Sequence, residues 1–301
     1  VKYLKVEKAV ITAAGEGSRM LPLTRGIRKE MLPLCAKSSA NGFTLKPIVQ
    51  LIMEDLYEVG LRSFCFVIRR GEHMIKDYFE LKASYLEYLK KTKKYAEDLE
   101  NLRKMISNVE LEFVYQSVPR GFGDAVLRAK RFVRDDDFIL HAGDGYTLNG
   151  NTLLRRLLHV HKKLGASATL VTRVVEDPTK YGVVSGSHEI VKGEKVLVVN
   201  HLVEKPRNPP SKFALIAVYA FSPLIMNALE NTEPGATKEL ELTDGIMNVL
   251  RMGGKVYSIE LDEPKSKWLS VGSPEGYLKS LETSRLSVEG SSTYASRSEG
   301  I

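Results

Sequence analysis

The apolar positions of this chain change period several times, and those changes divide it into elements. Residues 9–14 form a short run rich in small and β-branched side chains, the pattern of a strand buried on both faces. Ile48, Leu51, Ile52, Leu56 and Val59 recur at helical spacing, opened by Lys46-Pro47 and stopped at Gly60, as helix boundaries require. Residues 64–68 read as a second buried strand. No Gly or Pro lies between Gly71 and Pro119, and Ile75, Tyr78, Leu81, Tyr85, Leu89, Ala96, Leu99, Leu102 and Ile106 keep a near-helical period. One long helix or a helical pair is predicted there. Residues 111–115 and 138–142 follow as strands, and the alternation of strand, helix and strand predicts an α/β fold with a parallel sheet and right-handed crossovers. From residue 166 the pattern turns β-rich, with strand candidates at 168–174, 182–184, 196–202 and 213–221. Residues 35–45, which contain Ser-Ser-Ala-Asn-Gly, read as an irregular excursion. Residues 284–301 hold six serines and few large apolar groups, which predicts a mobile tail.

Composition narrows the class. A hydrophobic content of 43% and a charged content of 27% belong to a globular chain, long enough to bury a large core. The two cysteines, Cys35 and Cys65, fit no metal or C-x-x-C spacing and predict a reducing compartment. Neither a leader pattern nor an apolar run long enough for a bilayer is found, so a cytoplasmic protein without membrane contact is expected. A net charge of +7 favours anionic ligands. The densest basic run, Lys90-Lys91-Thr92-Lys93-Lys94, is interleaved with Glu87, Glu97, Asp98 and Glu100. That mixture reads as a solvated helix face, so nucleic acid is not expected as a partner.

The candidate chemistry begins where the first strand ends. Gly15 and Gly17 flank Glu16, allowing positive φ and close backbone approach, and exposed loop amides bind phosphate. Arg19, Arg25, Arg28 and Lys29 follow and could neutralise it. Met20 and Pro22 exclude the dinucleotide pattern G-x-G-x-x-G, and the P-loop ending Gly-Lys-Ser/Thr is absent. The segment resembles instead the signature of the sugar nucleotidyltransferase family, G-x-G-T-R-L-x-P-x-T followed by P-K-x-x-x-P. It matches at Gly15, Gly17, Arg19, Pro22, Thr24, Lys29 and Pro33, with Ser18 for Thr, Met20 for Leu and Arg28 for the first Pro of the second half.

Later motifs extend the resemblance in collinear order over about residues 7–283. Gln116, Gly121, Ala125 and Val126 match Q-x-x-x-x-G-x-x-x-A-V, which in the family lines a nucleobase pocket. A Gln amide can offer a donor and an acceptor to a pyrimidine edge; taken alone, a Gln near a turn is an ordinary surface residue. Asp144, between two glycines after a buried strand, could reach a metal or merely stabilise a turn; the resemblance assigns it to Mg2+. Gly182 in Y-G-V-V, with Glu204 and Lys205 in V-E-K-P, resembles the family's sugar-1-phosphate site, although an isolated Glu-Lys-Pro is an exposed pair before a turn. Residues 239–244 resemble E-I-Q-L-T-D, read as structural with Thr243 a candidate helix N-cap. Residues 268–274 resemble W-x-D-x-G-T-P, with Ser270 in place of its Asp, and Ala217 stands where these relatives usually have Gly.

The helical insertion makes the bacterial UTP–glucose-1-phosphate uridylyltransferases the most similar branch. The resemblance implies a Rossmann-like mixed, mainly parallel sheet flanked by helices in one domain over 1–283. A nucleotide-binding part would cover about 1–165 and a β-rich sugar-binding part 166–283. It implies uridylyl transfer from UTP to a sugar-1-phosphate, glucose-1-phosphate above others, in a homo-oligomer, dimer or tetramer. Arg19, Lys29 and Asp144 would be catalytic, with nucleotide held by Ala14, Gly15, Gly17, Gln116 and Gly121. Two alternatives stay open: a dTTP-using thymidylyltransferase, and a catalytically weak regulatory or sugar-nucleotide-binding subunit on the same fold, suggested by Arg28, Ala217 and Ser270.

Overall fold

The computed structural model describes residues 6–38, 42–80, 83–91, 97–235, 238–263 and 265–298. Strand β1 (Lys8–Ala13) is an interior strand of the sheet, with Ala9, Val10 and Ile11 wholly buried. An irregular segment of short helical turns leads to β2 (Pro33–Ser38) and β3 (Gly42–Pro47), paired antiparallel, then α1 (Ile48–Glu58) and β4 (Ser63–Arg69). The excursion expected at 35–45 is therefore largely a hairpin, in which cross-strand pairing satisfies the backbone while Leu34 and Cys35 turn into the protein. Helices α2 (Met74–Phe79), α3 (Ala83–Lys91) and α4 (Glu97–Ser107) precede β5 (Glu110–Gln116). The stretch expected as one long helix or a helical pair thus carries three helices among the described residues. Phe79 at the end of α2 is buried in the core, its ring stacked 5.0 Å from that of Phe66. Leu81 and Ala96 of the periodic set lie outside the described residues.

Helices α5 (Phe122–Arg128) and α6 (Lys130–Val133) lead to β6 (Phe138–Ala142), the short β7 (Gly145–Leu148) and α7 (Asn151–Leu164). The second half contributes β8 (Ala168–Val174), the long hairpin β9 (Gly182–Val191) and β10 (Glu194–Glu204), and β11 (Phe213–Phe221). Helices α8 (Leu224–Glu230) and α9 (Leu242–Arg251), strands β12 (Val256–Glu260) and β13 (Lys267–Ser270), and α10 (Pro274–Ser298) complete the chain.

Among the described residues nine strands form one mixed sheet in the order β5-β4-β1-β6-β11-β8-β12-β10-β9, while β13 pairs with β7 outside it. The pairs β5/β4, β4/β1, β1/β6 and β8/β12 are parallel; β11 is antiparallel to both neighbours. The period-two alternation of the central strands assigns each face its own core. Ala9, Ile11, Phe64 and Phe66 join the cluster covered by α1 and α7. Val10, Cys65, Val67 and Leu140 join the one covered by α5, α8 and α9. The chain passes from β1 outward through β4 to β5 and then returns to β6 on the other side of β1. Ligands of open α/β sheets bind at the carboxyl ends of strands flanking such a reversal.

The serine-rich stretch expected as a tail continues α10 to Ser298. Its first residues are fixed by side-chain hydroxyls: Ser284 is buried with Oγ accepting from the Cys35 amide at 3.1 Å, and the Ser280 hydroxyl bridges the amide and carbonyl of Ser270. Small side chains let the helix approach β2 and β13 closely enough for those bonds.

Helix α1 and β7 are tied by a partly buried acid. Asp55 hydrogen-bonds Tyr146, and burial, with Glu58 and Glu54 nearby, pushes its carboxyl up from 3.8 to about 8. The folded state therefore holds a proton that the unfolded chain releases near pH 4, so this contribution to stability is complete in acid and lost as pH rises toward 8. Urea denaturation of Asp55→Asn should show a smaller drop in stability between pH 5 and pH 8 than the unaltered protein. An unchanged drop would remove Asp55 from this account.

Candidate active site

The loop after β1 takes its shape from two local constraints. Gly17 has φ +68°, and a Cβ there would lie 2.9 Å from Thr24 Cγ2, so both conformation and space select glycine. The Thr24 hydroxyl donates to Gly17 O at 2.8 Å and closes the loop. Lys29 begins a short helical turn that returns its side chain beneath the glycines: Nζ is 3.6 Å from where a Gly15 Cβ would stand.

That ammonium meets the end of β6. Lys29 Nζ donates to Asp144 Oδ2 at 2.5 Å, with side-chain exposures of 13% and 29%. Burial alone would lower the Lys29 pKa, but the Asp144 carboxylate, its hydrogen bond and the nearby Glu30 together outweigh it and the net shift is upward. For Asp144 burial acts to raise the pKa, and the charges of Lys29 and Arg19 win and lower it. Both groups are thus held ionised. Glu30, wholly buried beside them, is pushed up to about 7 by burial, against the pull of Lys29 and Arg28.

Strand pairing brings the next residue in. Ser270 on β13 is registered with Gly145 on β7, and Val271 N donates to Asp144 O at 3.0 Å. A point at the Cβ position of Gly272 lies 3.1 Å from Arg19 Nη2, 3.4 Å from Ser270 Oγ and 3.6 Å from Asp144 Oδ2. One carboxylate, one hydroxyl and one guanidinium therefore share a small space. Among the described residues no group of three or more His, Cys, Asp or Glu stands together as a metal site. The donor set instead fits an ion such as magnesium that takes one or two carboxylates and its remaining ligands from phosphate and water.

A cavity of about 480 Å³ opens above this pair, lined by Ala14, Gly15, Gly17, Lys29, Gln116, Gly121 and Asp144 among others. Gly121 has φ +108°, and a Cβ would lie 2.6 Å from Leu240 O; the 239–240 segment packs on this turn through Leu240 N to Arg120 O and Gly123 N to Leu240 O, both 2.8 Å. Buried Gln116 directs its amide nitrogen at Gly121 O, 3.1 Å, and Asp124 Oδ2, 2.8 Å. Both partners are acceptors, which fixes the amide orientation and commits both N–H groups. Of the donor and acceptor expected at Gln116, the acceptor Oε1 is left for a ligand.

A second cleft, about 950 Å³, adjoins the first through Asp144 and Ala217 and takes in Arg19, Tyr181, Trp268 and Ser270. Ala217 falls where the β11–β8 register slips between Ile216 and Tyr219, a bulge of the kind that re-aims a side chain beside a site. Gly182 and Glu204 are cross-strand partners, Lys205 Nζ is 3.0 Å from Glu204 Oε1, and a Gly182 Cβ would touch Leu215 in the wall of this cleft. Lys205 holds φ +38°, unusual backbone for a non-glycine residue. Thr243 is not an N-cap: it lies within α9 behind Glu241, and its hydroxyl donates to Glu204 Oε2 at 3.3 Å. The cluster is electrically linked to the first cavity, because the carboxylates of Glu204, Glu241 and Glu239 together hold the Lys205 pKa up against burial, and Glu239 lines that cavity. Glu239 carries no sequence signal of its own beyond the motif read as structural.

Comparison with known proteins bears on this geometry. Residues 8–285 match the sequence profile of the family described as Nucleotidyl transferase. The chain is 36% identical over 282 residues to UTP–glucose-1-phosphate uridylyltransferase 2 of Streptococcus pyogenes serotype M3, covering 91% of this chain and 89% of that one. A solved structure of UDP-glucose pyrophosphorylase complexed with UDP-glucose superposes with a TM-score of 0.77 at 25% identity, over 95% of this chain and 100% of the other. UTP-bound UGPase from Acinetobacter baumannii gives 0.77 at 27% identity and 93% of each chain.

The ion pair makes its own prediction. In Lys29→Met, Asp144 keeps its burial and loses the largest influence holding its pKa down, so its carboxyl should titrate at higher pH in a 13C NMR series. An unmoved titration would show that Lys29 does not govern Asp144.

Proposed function

Since the chain belongs to the nucleotidyl transferase family, we propose that it transfers the uridylyl group of UTP to glucose-1-phosphate, giving UDP-glucose and pyrophosphate. The observation that carries this reading is the Lys29–Asp144 pair at 2.5 Å, set between the glycine loop and Ser270, with Asp144 lining both clefts. A non-bridging oxygen of the sugar phosphate attacks the α-phosphorus of UTP while the bond from that phosphorus to the β-phosphate bridging oxygen breaks. Such transfers need little covalent help and depend on alignment and charge.

Each residue then has a task. Backbone amides of Ala14, Gly15 and Gly17, with Arg19, hold the β- and γ-phosphates. Lys29 has three N–H donors; one remains on Asp144 while another meets an α-phosphate oxygen, where charge builds in the transition state. Asp144, with the Ser270 hydroxyl, would hold a magnesium ion that arrives on the triphosphate, and the ion would offset phosphate charge. Glu204 accepts from sugar hydroxyls, Lys205 meets the sugar phosphate, and Gly182 leaves room for the ring. Gln116 Oε1 accepts from N3–H of uracil. Thymine carries the same N–H, whereas N3 of cytosine presents a lone pair to that oxygen.

The test is pyrophosphate release over a grid of triphosphates and sugar-1-phosphates with magnesium. UTP with glucose-1-phosphate should give the highest kcat/KM. CTP should fall about ten- to hundredfold below it, the effect of the ~1–3 kcal/mol cost of leaving one buried acceptor unpaired, with dTTP the strongest competitor. Release of pyrophosphate from no pair would overturn the proposal. Gln116→Ala should narrow the preference for UTP over CTP about ten- to hundredfold, by analogy with specific base-edge contacts. A uniform loss over all triphosphates would mean that Gln116 only supports the Gly121 turn.

A further inference from the structure

Arg28 stands where the family signature carries proline, and in the sequence it reads as a defect. The fold gives it a buried place instead, 5% exposed. Its Nη2 donates to Ala13 O at 2.9 Å and to Gly15 O at 2.6 Å, while Nε lies 3.5 Å from Glu30 Oε2 and 4.0 Å from Glu72 Oε2. Two carboxylates thus stand beside the Nε edge of the guanidinium. Ala14, Gly15 and Glu16 line the first cavity and Arg28 does not. In a trans peptide the carbonyl and the following N–H point in opposite directions. A guanidinium that grips the carbonyls of residues 13 and 15 therefore turns the N–H groups of residues 14 and 16 away from itself. Charge-assisted bonds of this kind are stronger than neutral ones, and they polarise the two peptides so that each N–H becomes a better donor.

We infer that Arg28 is a positioning residue for the triphosphate, presetting the loop amides of Ala14 and Glu16 toward phosphate oxygens. Proline at this position offers no donor to either carbonyl. This chain has therefore moved part of the organisation of its phosphate loop onto a buried cation, and its departure from the signature is a substitute device rather than a lesion. The inference rests on the assignment of the cavity to UTP.

The experiment measures Arg28→Met, Arg28→Lys and Arg28→Ala beside the unaltered protein, with inorganic tripolyphosphate as a base-free probe in calorimetry and with steady-state kinetics. Arg28→Met should weaken tripolyphosphate binding and raise KM for UTP by about tenfold or more, leaving KM for glucose-1-phosphate and the UTP over CTP preference in place. Arg28→Lys, which keeps the charge and can reach one carbonyl, should fall between and carries the test if Arg28→Met fails to fold. Guanidinium ion at millimolar concentration should partly restore Arg28→Ala. Folded variants whose tripolyphosphate affinity stays within about twofold of the original, or whose losses fall equally on both substrates, would overturn the inference. If the unaltered protein binds tripolyphosphate through Arg28 yet turns over no UTP, the inference stands and uridylyl transfer is the part that fails. Turnover of UTP indifferent to Arg28 has the opposite meaning.

Discussion

A partly buried ion pair joins two distant parts of the chain, and the rest of the site is arranged around it. Lys29 and Asp144 are separated by 115 residues and meet at 2.5 Å. Withdrawing either charge from water costs free energy that the other offsets, and their meeting ties the segment after the glycine loop to the end of β6. The close approach of Gly15 to Lys29, the wedging of Glu30 under Gly143 and the pairing of β13 beside β7 follow from that meeting. A pair whose ammonium and carboxylate both keep unused hydrogen-bonding capacity is also poised to receive a phosphate on one side and a cation on the other.

Sheet topology puts the pair where a ligand can reach it. Reversal of strand order around β1 leaves a crevice between the ends of β1 and β6, and the glycine loop and Asp144 issue from those two strands. Antiparallel β11 then closes the crevice on the far side, its bulge turning Ala217 into both cavities. A purely parallel continuation would have left the sugar-side cluster of Gly182, Glu204 and Lys205 without the β9–β10 hairpin that builds it.

The sequence made much of this legible, and its failures have local causes. Strands β1, β4, β6 and β11 announce themselves because burial on both faces demands continuous apolar runs, and the glycine signature because few residues tolerate such a loop. The β2–β3 hairpin was hidden by the Ser-Ser-Ala-Asn-Gly run at its middle and by short strands whose stability lies in backbone pairing and in contacts to α10 that composition does not encode. The break between α2 and α3 was hidden because helical periodicity persists across it, while Phe79 is buried beside Phe66. At the candidate site, residue identities could be read but not commitments. Gln116 spends both amide hydrogens on Gly121 and Asp124, and Arg28 looked like a lost proline until its carbonyl partners were placed. Ala217 could be noted as unusual, but a bulge is a register property that only strand pairing reveals.

Charge and alignment, without a protein nucleophile, are the core of the proposed chemistry. Lys29, with Asp144 held by it at the floor of the candidate phosphate site, supplies charge and alignment for direct attack of one substrate on the other. The stereochemical course at the α-phosphorus tests this most directly. With a single diastereomer of UTP carrying sulfur on the α-phosphate, and glucose-1-phosphate as acceptor, one in-line displacement predicts inversion in the UDP-glucose formed. Retention would require two displacements through a uridylylated side chain and would contradict the account.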